Sequence, residues 1–171
     1  MAVEVQLFGL VLDETTRSPV VILRAVEGEE TLPIQVGIAE AAAIAAAIER
    51  VDLPRPMTHD LMLGAIEALG ATVEAIQVVD LRDGTFYGRV VLKRGRRRIE
   101  LDARPSDGIA LALRAGVPIM VEDEVFRKAG PQDVAEASRQ QWMVFLSSLE
   151  ASAAAAAGVG GEGEKKKDEV Q

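Results

Sequence analysis

The chain has 171 residues, 49% of them hydrophobic, and a formal net charge of −8 at pH 7. That length suffices for one compact domain, since about 150 residues bury roughly 70% of the unfolded surface. Cysteine is absent, which excludes disulfides, a thiolate nucleophile and Cys-ligated zinc. The acidic balance argues against sequence-independent affinity for nucleic acid, which draws on clustered Lys and Arg.

The chain opens MAVEVQ, without a basic stretch before an apolar core, and so does not read as a signal peptide. Strands are expected near 3–13, 19–26 and 30–36. LFGLVL and VVIL are apolar on both alternating sets, as in strands covered on two sides. The alanine-rich run 41–48, closed by Glu40 and Glu49, reads as an internal helix. It is far shorter than the roughly 20 residues a membrane span needs, so no membrane is expected and the location reads as cytoplasmic. After PRPMTHDL at 54–61, a second helix is expected to start with Thr58 as N-cap and to stop at Gly70. His59, the only histidine, falls in its first turn.

Further strands are expected at 72–82, 85–94 and 97–102, with Asp83-Gly84 as a two-residue hairpin turn. Phe86, Val90 and Leu92 should point one way, and Thr85, Tyr87, Arg89, Val91 and Lys93 the other. Lys93, Arg94, Arg96, Arg97 and Arg98 crowd five cations around Gly95. That cluster is either a nucleic-acid contact or a solvated hairpin tip. Pro105 suits a first helical position, and the apolar pattern carries that helix to Gly116. A short strand at 118–121 and helices near 123–129 and 131–149 follow. Trp142, Phe145, Leu146 and Leu149 have the spacing of a face docked on a core. Residues 151–171 are an alanine, glycine and charge mixture that is expected to be disordered.

The order of elements repeats. VEVQ at 3–6 is echoed by VEAIQ at 73–77, VILR at 21–24 by VVLK at 90–93, and LPIQVGIAEAAAI at 32–44 by IELDARPSDGIAL at 99–111. This predicts an α+β fold of duplicated three-strand-plus-helix units forming mixed or antiparallel sheets packed with helices, with a C-terminal helix. The expected organisation is a domain over 1–130, a helix over 131–150 packed on it, and the tail. Glu40 and Asp107 then hold matching places, each at the start of an apolar helix.

LPIQVGIAEAAAIA at 32–45, PRPMTHDL at 54–61, DLRDGTFYGRVVL at 80–92 and DARPSDGIALALRAGVPI at 102–119 together resemble the bifunctional nuclease family, named for a plant member assigned both RNase and DNase activity. The resemblance implies a strand-rich duplicated α+β domain, RNA and DNA as substrates, and a homo-oligomer. Two positions depart from its pattern: Gln35 stands where many relatives have an aromatic residue, which would weaken base stacking. Gly108 stands where alanine is common, which would cost helix stability.

Phosphodiester hydrolysis needs an activated water, charge stabilisation on the phosphoryl oxygens and help for the leaving oxygen. Asp102 and Asp107, with Glu40 if the repeats pack together, are candidate ligands for Mg²⁺ or Mn²⁺. Asp107 has a second reading, complementing the helix dipole. Arg104 can hold a phosphate at the helix start, or lock Asp102 or Asp83 in an ion pair. His59, with Asp60 beside it, is a candidate general base; the plainer expectation is an exposed residue of a helix capped by Thr58, with Asp60 complementing the dipole. Arg82 and Asp83 flank the turn: Asp83 is a further candidate for the ion-holding catalytic set, partly explained as the turn residue before Gly84, and Arg82, with no local structural reason, is a candidate for binding phosphate. Tyr87, Arg89 and Lys93, with Arg96, Arg97 and Arg98, form a possible surface for a stacked single strand. No GxGxxG, P-loop or GxSxG pattern occurs, so no organic cofactor is expected. The alternative function is a non-enzymatic regulatory or assembly module that binds an anionic ligand, or a nucleic-acid binder without hydrolysis.

Overall fold

The computed structural model describes residues 1–13 and 16–130. The helix expected at 131–150 and the tail at 151–171 lie outside the described residues. β1 (Ala2–Leu12), β2 (Pro19–Ala25) and β3 (Thr31–Gln35) form an antiparallel meander followed by α1 (Ile38–Ile48) and α2 (Thr58–Ala68). A second meander, β4 (Thr72–Arg82), β5 (Thr85–Arg94) and β6 (Arg97–Ala103), leads into α3 (Pro105–Ala115), β7 (Ile119–Glu122) and α4 (Asp123–Ala129). The seven strands make one mixed sheet in the order β3-β2-β1-β7-β4-β5-β6. β7 joins the two units, antiparallel to β1 and parallel to β4.

Local chemistry accounts for most of this order. Val21, Ile22 and Leu23 are all buried, as a strand apolar on both faces requires. Asp83 and Gly84 both take positive φ, 49° and 76°, the combination of a type I′ hairpin turn. α1 packs on α3 and α2 on α3, while α4 lies against β4 and β7. Leu10, Leu23, Ile44, Ile76, Ile109 and Leu111 are among the fully buried side chains of the shared core.

Two glycines set how α3 is seated. A Cβ on Gly88 would lie 2.9 Å from the Ala103 carbonyl oxygen and 3.3 Å from the Pro105 nitrogen, so the β6-to-α3 junction passes directly over β5. A Cβ on Gly108 would lie 2.6 Å from Ile76 Cγ2. The expected cost of Gly108 to helix stability is thus set against a close approach of α3 to β4 that alanine would obstruct.

The start of α2 departs from expectation. Its N-cap is Met57, and Thr58 is already helical. Asp60 supplies the cap from inside the helix, its Oδ2 accepting the Met57 N–H at 2.8 Å. No helix among the described residues is long and apolar enough to cross a membrane.

Candidate functional site

Glu40 is the third residue of α1 and Asp107 the third of α3. Packing of the two helices brings these matched positions to one place, and Arg104, immediately before α3, bridges them. Its Nε and Nη2 donate to Asp107 Oδ2 and Oδ1 at 2.8 and 3.0 Å, and its Nη1 lies 2.9 Å from Glu40 Oε1. Behind Asp107, His59 Nε2 lies 3.3 Å from the same Oδ1. The set grades from interior to solvent: side-chain exposure is 9% for His59, 24% for Asp107, 21% for Glu40 and 65% for Arg104.

Burial works to raise the Asp107 pKa, but hydrogen bonds from Arg104 and His59 outweigh it and hold the carboxyl below its ordinary value. Asp107, followed by Glu40, pushes the Arg104 guanidinium upward in turn. His59 is buried, contrary to the exposed position expected, and its Nδ1 has no hydrogen-bond partner. Among the described residues only His59 and Ser106 are buried polar residues, and both belong here. Ser106 faces a cavity of about 290 Å³ whose polar and aromatic lining includes Gln35, Glu40, Thr85, Phe86 and Arg104. A larger cavity, about 730 Å³ beside Gly130, is lined by none of these groups.

A second polar clamp was not anticipated from the sequence. Arg114, its side chain only 9% exposed, donates from Nε to Asp60 Oδ1 at 2.6 Å, and from Nη1 to the carbonyls of Ala43 and Ala110 at 3.1 and 2.9 Å. One guanidinium therefore ties α1, α2 and α3 together. Burial works to raise the Asp60 pKa, but the Met57 amide and Arg114 hold it below its usual value. The signal available in the sequence was a lone charge in the apolar run IALALRA, which reads as an ordinary dipole-complementing residue.

The remaining candidates lie elsewhere. Asp102 is exposed on β6 opposite Arg89 and does not converge with Asp107, because strand alternation turns it to the other face of the sheet. Arg104 pairs with neither Asp102 nor Asp83, and Asp83 sits in its turn. Arg82 does have a local reason: it donates to Asp80 and lies over the Tyr87 ring at 4.9 Å. Lys128 and then Arg82 hold Asp80 far below the usual carboxylate range. Arg89 pairs with Glu100 and Lys93 with Glu74. Arg96, Arg97 and Arg98 are exposed at the far end of the β5–β6 ribbon. β6 rises about 3.3 Å per residue, so this tip is about 20 Å from Arg104.

Among the described residues no group of three or more His, Asp or Glu side chains could hold a divalent cation. Between Glu40 and Asp107 the guanidinium of Arg104 already supplies the positive charge. These residues do not fit the carboxylate cage expected for Mg²⁺ or Mn²⁺.

A family model for the bifunctional nuclease domain matches residues 21–133, a span that holds Glu40, His59, Arg104 and Asp107. An uncharacterized protein of Mycobacterium tuberculosis (strain ATCC 25618 / H37Rv) is 45% identical over 127 residues, 74% of this chain and 76% of that one. Bifunctional nuclease 2 of Oryza sativa subsp. japonica is 29% identical over 133 residues, 75% of this chain and 41% of the rice protein. Bifunctional nuclease 1 of Arabidopsis thaliana is 25% identical over 107 residues, 60% of this chain and 33% of the plant protein.

Proposed function

The chain belongs to the bifunctional nuclease domain family, and on that footing we propose that it hydrolyses phosphodiester bonds in RNA and DNA with little base specificity, at the start of α3. The observation that carries this reading is the bridged set Glu40–Arg104–Asp107–His59, drawn from three helices and bordering a cavity. Arg104 is mostly exposed, and its N–H groups beyond those on the two carboxylates are free to bind a non-bridging phosphoryl oxygen. Glu40 lines the cavity and serves as the proton acceptor: water attacks phosphorus, its proton passes to the carboxylate, and the leaving oxygen departs with a proton from solvent. Asp107, kept ionised, is too weak a base for that task and orients Arg104. His59 is a positioning residue, since one ring nitrogen faces Asp107 and the other is enclosed.

No step is routed through a metal, because the donor set does not fit one. Purified protein incubated with labelled RNA and single-stranded DNA tests the reading. Glu40→Gln and Arg104→Gln should each lower kcat/KM about 100-fold or more. Cleavage at the parental rate in both variants overturns it.

One observation favours a binding module without turnover: each acid of the set is already paired with Arg104. That reading requires salt-dependent retention of RNA with no product in the same assay. A homo-oligomer finds support in α2 and its C-cap, where Leu61 and Leu69 are 64% and 67% exposed; such surface suits a second copy. We also assign the chain to the cytoplasm, in keeping with the absence of cysteine.

A further inference from the structure

The cavity beside Arg104 has a shape and lining that go beyond phosphate capture. It lies where the end of β3, the start of α1, the β4–β5 turn and the start of α3 meet. Phe86, Ile34 and Pro105 give it an apolar wall; Gln35, Thr85 and Ser106 offer hydrogen-bonding groups; Arg104 stands at its edge. Ser106, only 7% exposed as a residue, lines the cavity beside Arg104 and Pro105. A serine hydroxyl both donates and accepts, so it can bond a phosphate oxygen that enters the cavity. A volume of about 290 Å³ is at the small end of ligand cavities, large enough for one nucleotide and too small for a base pair.

We infer that this cavity receives a single unpaired nucleotide, its base against Phe86 and its phosphate held by Arg104 and Ser106. The inference rests on the proposed hydrolysis and names its substrate class: single strands, whose bases are free to leave the stack. A duplex keeps its bases paired and stacked, so entry would require flipping one out. The exposed basic tip near Gly95 is too far away to take part in this contact.

Calorimetric titration of the full chain with AMP, adenosine and inorganic phosphate tests the inference, alongside RNA cleavage as a separate readout. AMP should bind at least about tenfold more tightly than either fragment, and Ser106→Ala or Phe86→Leu should each weaken it about tenfold. On the unmodified chain, AMP should shift the backbone amide resonances of Gln35, Thr85 and Ser106 and leave those of Arg96, Arg97 and Arg98 in place, a result that needs no variant to fold. Absence of AMP binding, or shifts confined to the basic tip, overturns the inference; RNA cleavage in the same preparation then leaves the hydrolysis reading intact. AMP binding with those shifts but no cleavage has the opposite meaning. Phosphate binding as tight as AMP, indifferent to Phe86→Leu, reduces the cavity to an anion site and overturns the assignment of a base.

Discussion

The two repeat helices start alike and end up doing different work. Aligned on their first residues, Gly37 before α1 corresponds to Arg104 before α3, Ala39 to Ser106, Glu40 to Asp107, Ala41 to Gly108 and Ala47 to Arg114. The acid at the third position is common to both. What changes is everything around it: α3 gains a bridging cation, a cavity-facing hydroxyl and a buried guanidinium near its end. It loses the methyl that α1 buries completely at Ala41 and so sits tight against Ile76. A scaffold helix becomes a site helix through a few polar side chains, while the backbone frame is retained. The lesson is that duplication supplies matched positions, and chemistry enters where one copy departs from the other.

Breaking the bridge between the two helix starts should have the largest effect. Arg104→Gln removes the cation that bridges Glu40 and Asp107, and a loss of about 3–4 kcal/mol in transition-state stabilisation is expected, measured as kcat/KM on RNA. Arg114→Met comes next. It strands Asp60 and leaves the Ala43 carbonyl without its donor, so unfolding in urea should show about 3 kcal/mol of lost stability, moderated by the partial exposure of Asp60. At the fourth helical position the repeats should respond in opposite senses. Gly108→Ala forces a methyl against Ile76 and should cost about 1–2 kcal/mol despite the helix propensity it adds. Ala41→Gly should cost about 1 kcal/mol for lacking one.

Acid should dissolve the same bridge by titration. Because the folded-state pKa of Asp107 is lowered, its contribution is complete above the unfolded value of about 3.9. It is lost as pH falls from there through the folded value. Stability curves should therefore fall on the acid side of about pH 4, and Asp107→Asn should flatten that limb. Smallest of all, replacing Arg96, Arg97 and Arg98 together with serine should change stability by less than about 0.5 kcal/mol per position. It should also leave single-nucleotide binding unaltered, which separates the tip from the site.

Much of the architecture was legible in the linear chain because it is written in short-range patterns. Strand alternation, the Asp83-Gly84 turn, Pro105 at a helix start and Gly116 at its end each act within a few residues. The repeat of element order then predicted the matched acids. Other features escaped because their partners are remote in sequence. Asp102 and Asp107 look like neighbours in the chain, yet strand pleating puts them on different sides of the sheet. Asp60 and Arg114 give no local hint of each other, and Arg104 found Glu40 in place of the nearer Asp102. His59 read as an exposed helix-start residue, and it is the packing of α2 on α3 that buries it.

The sequence by itself determined the elements, the duplication and the family, since propensity, periodicity and turn chemistry are properties of contiguous residues. Only the tertiary structure decided which charges meet, that a guanidinium rather than an acidic cage occupies the centre, and where a cavity opens beside it. Ion pairing falls off over a few ångströms, and which side chains come that close is set by how helices pack on the sheet.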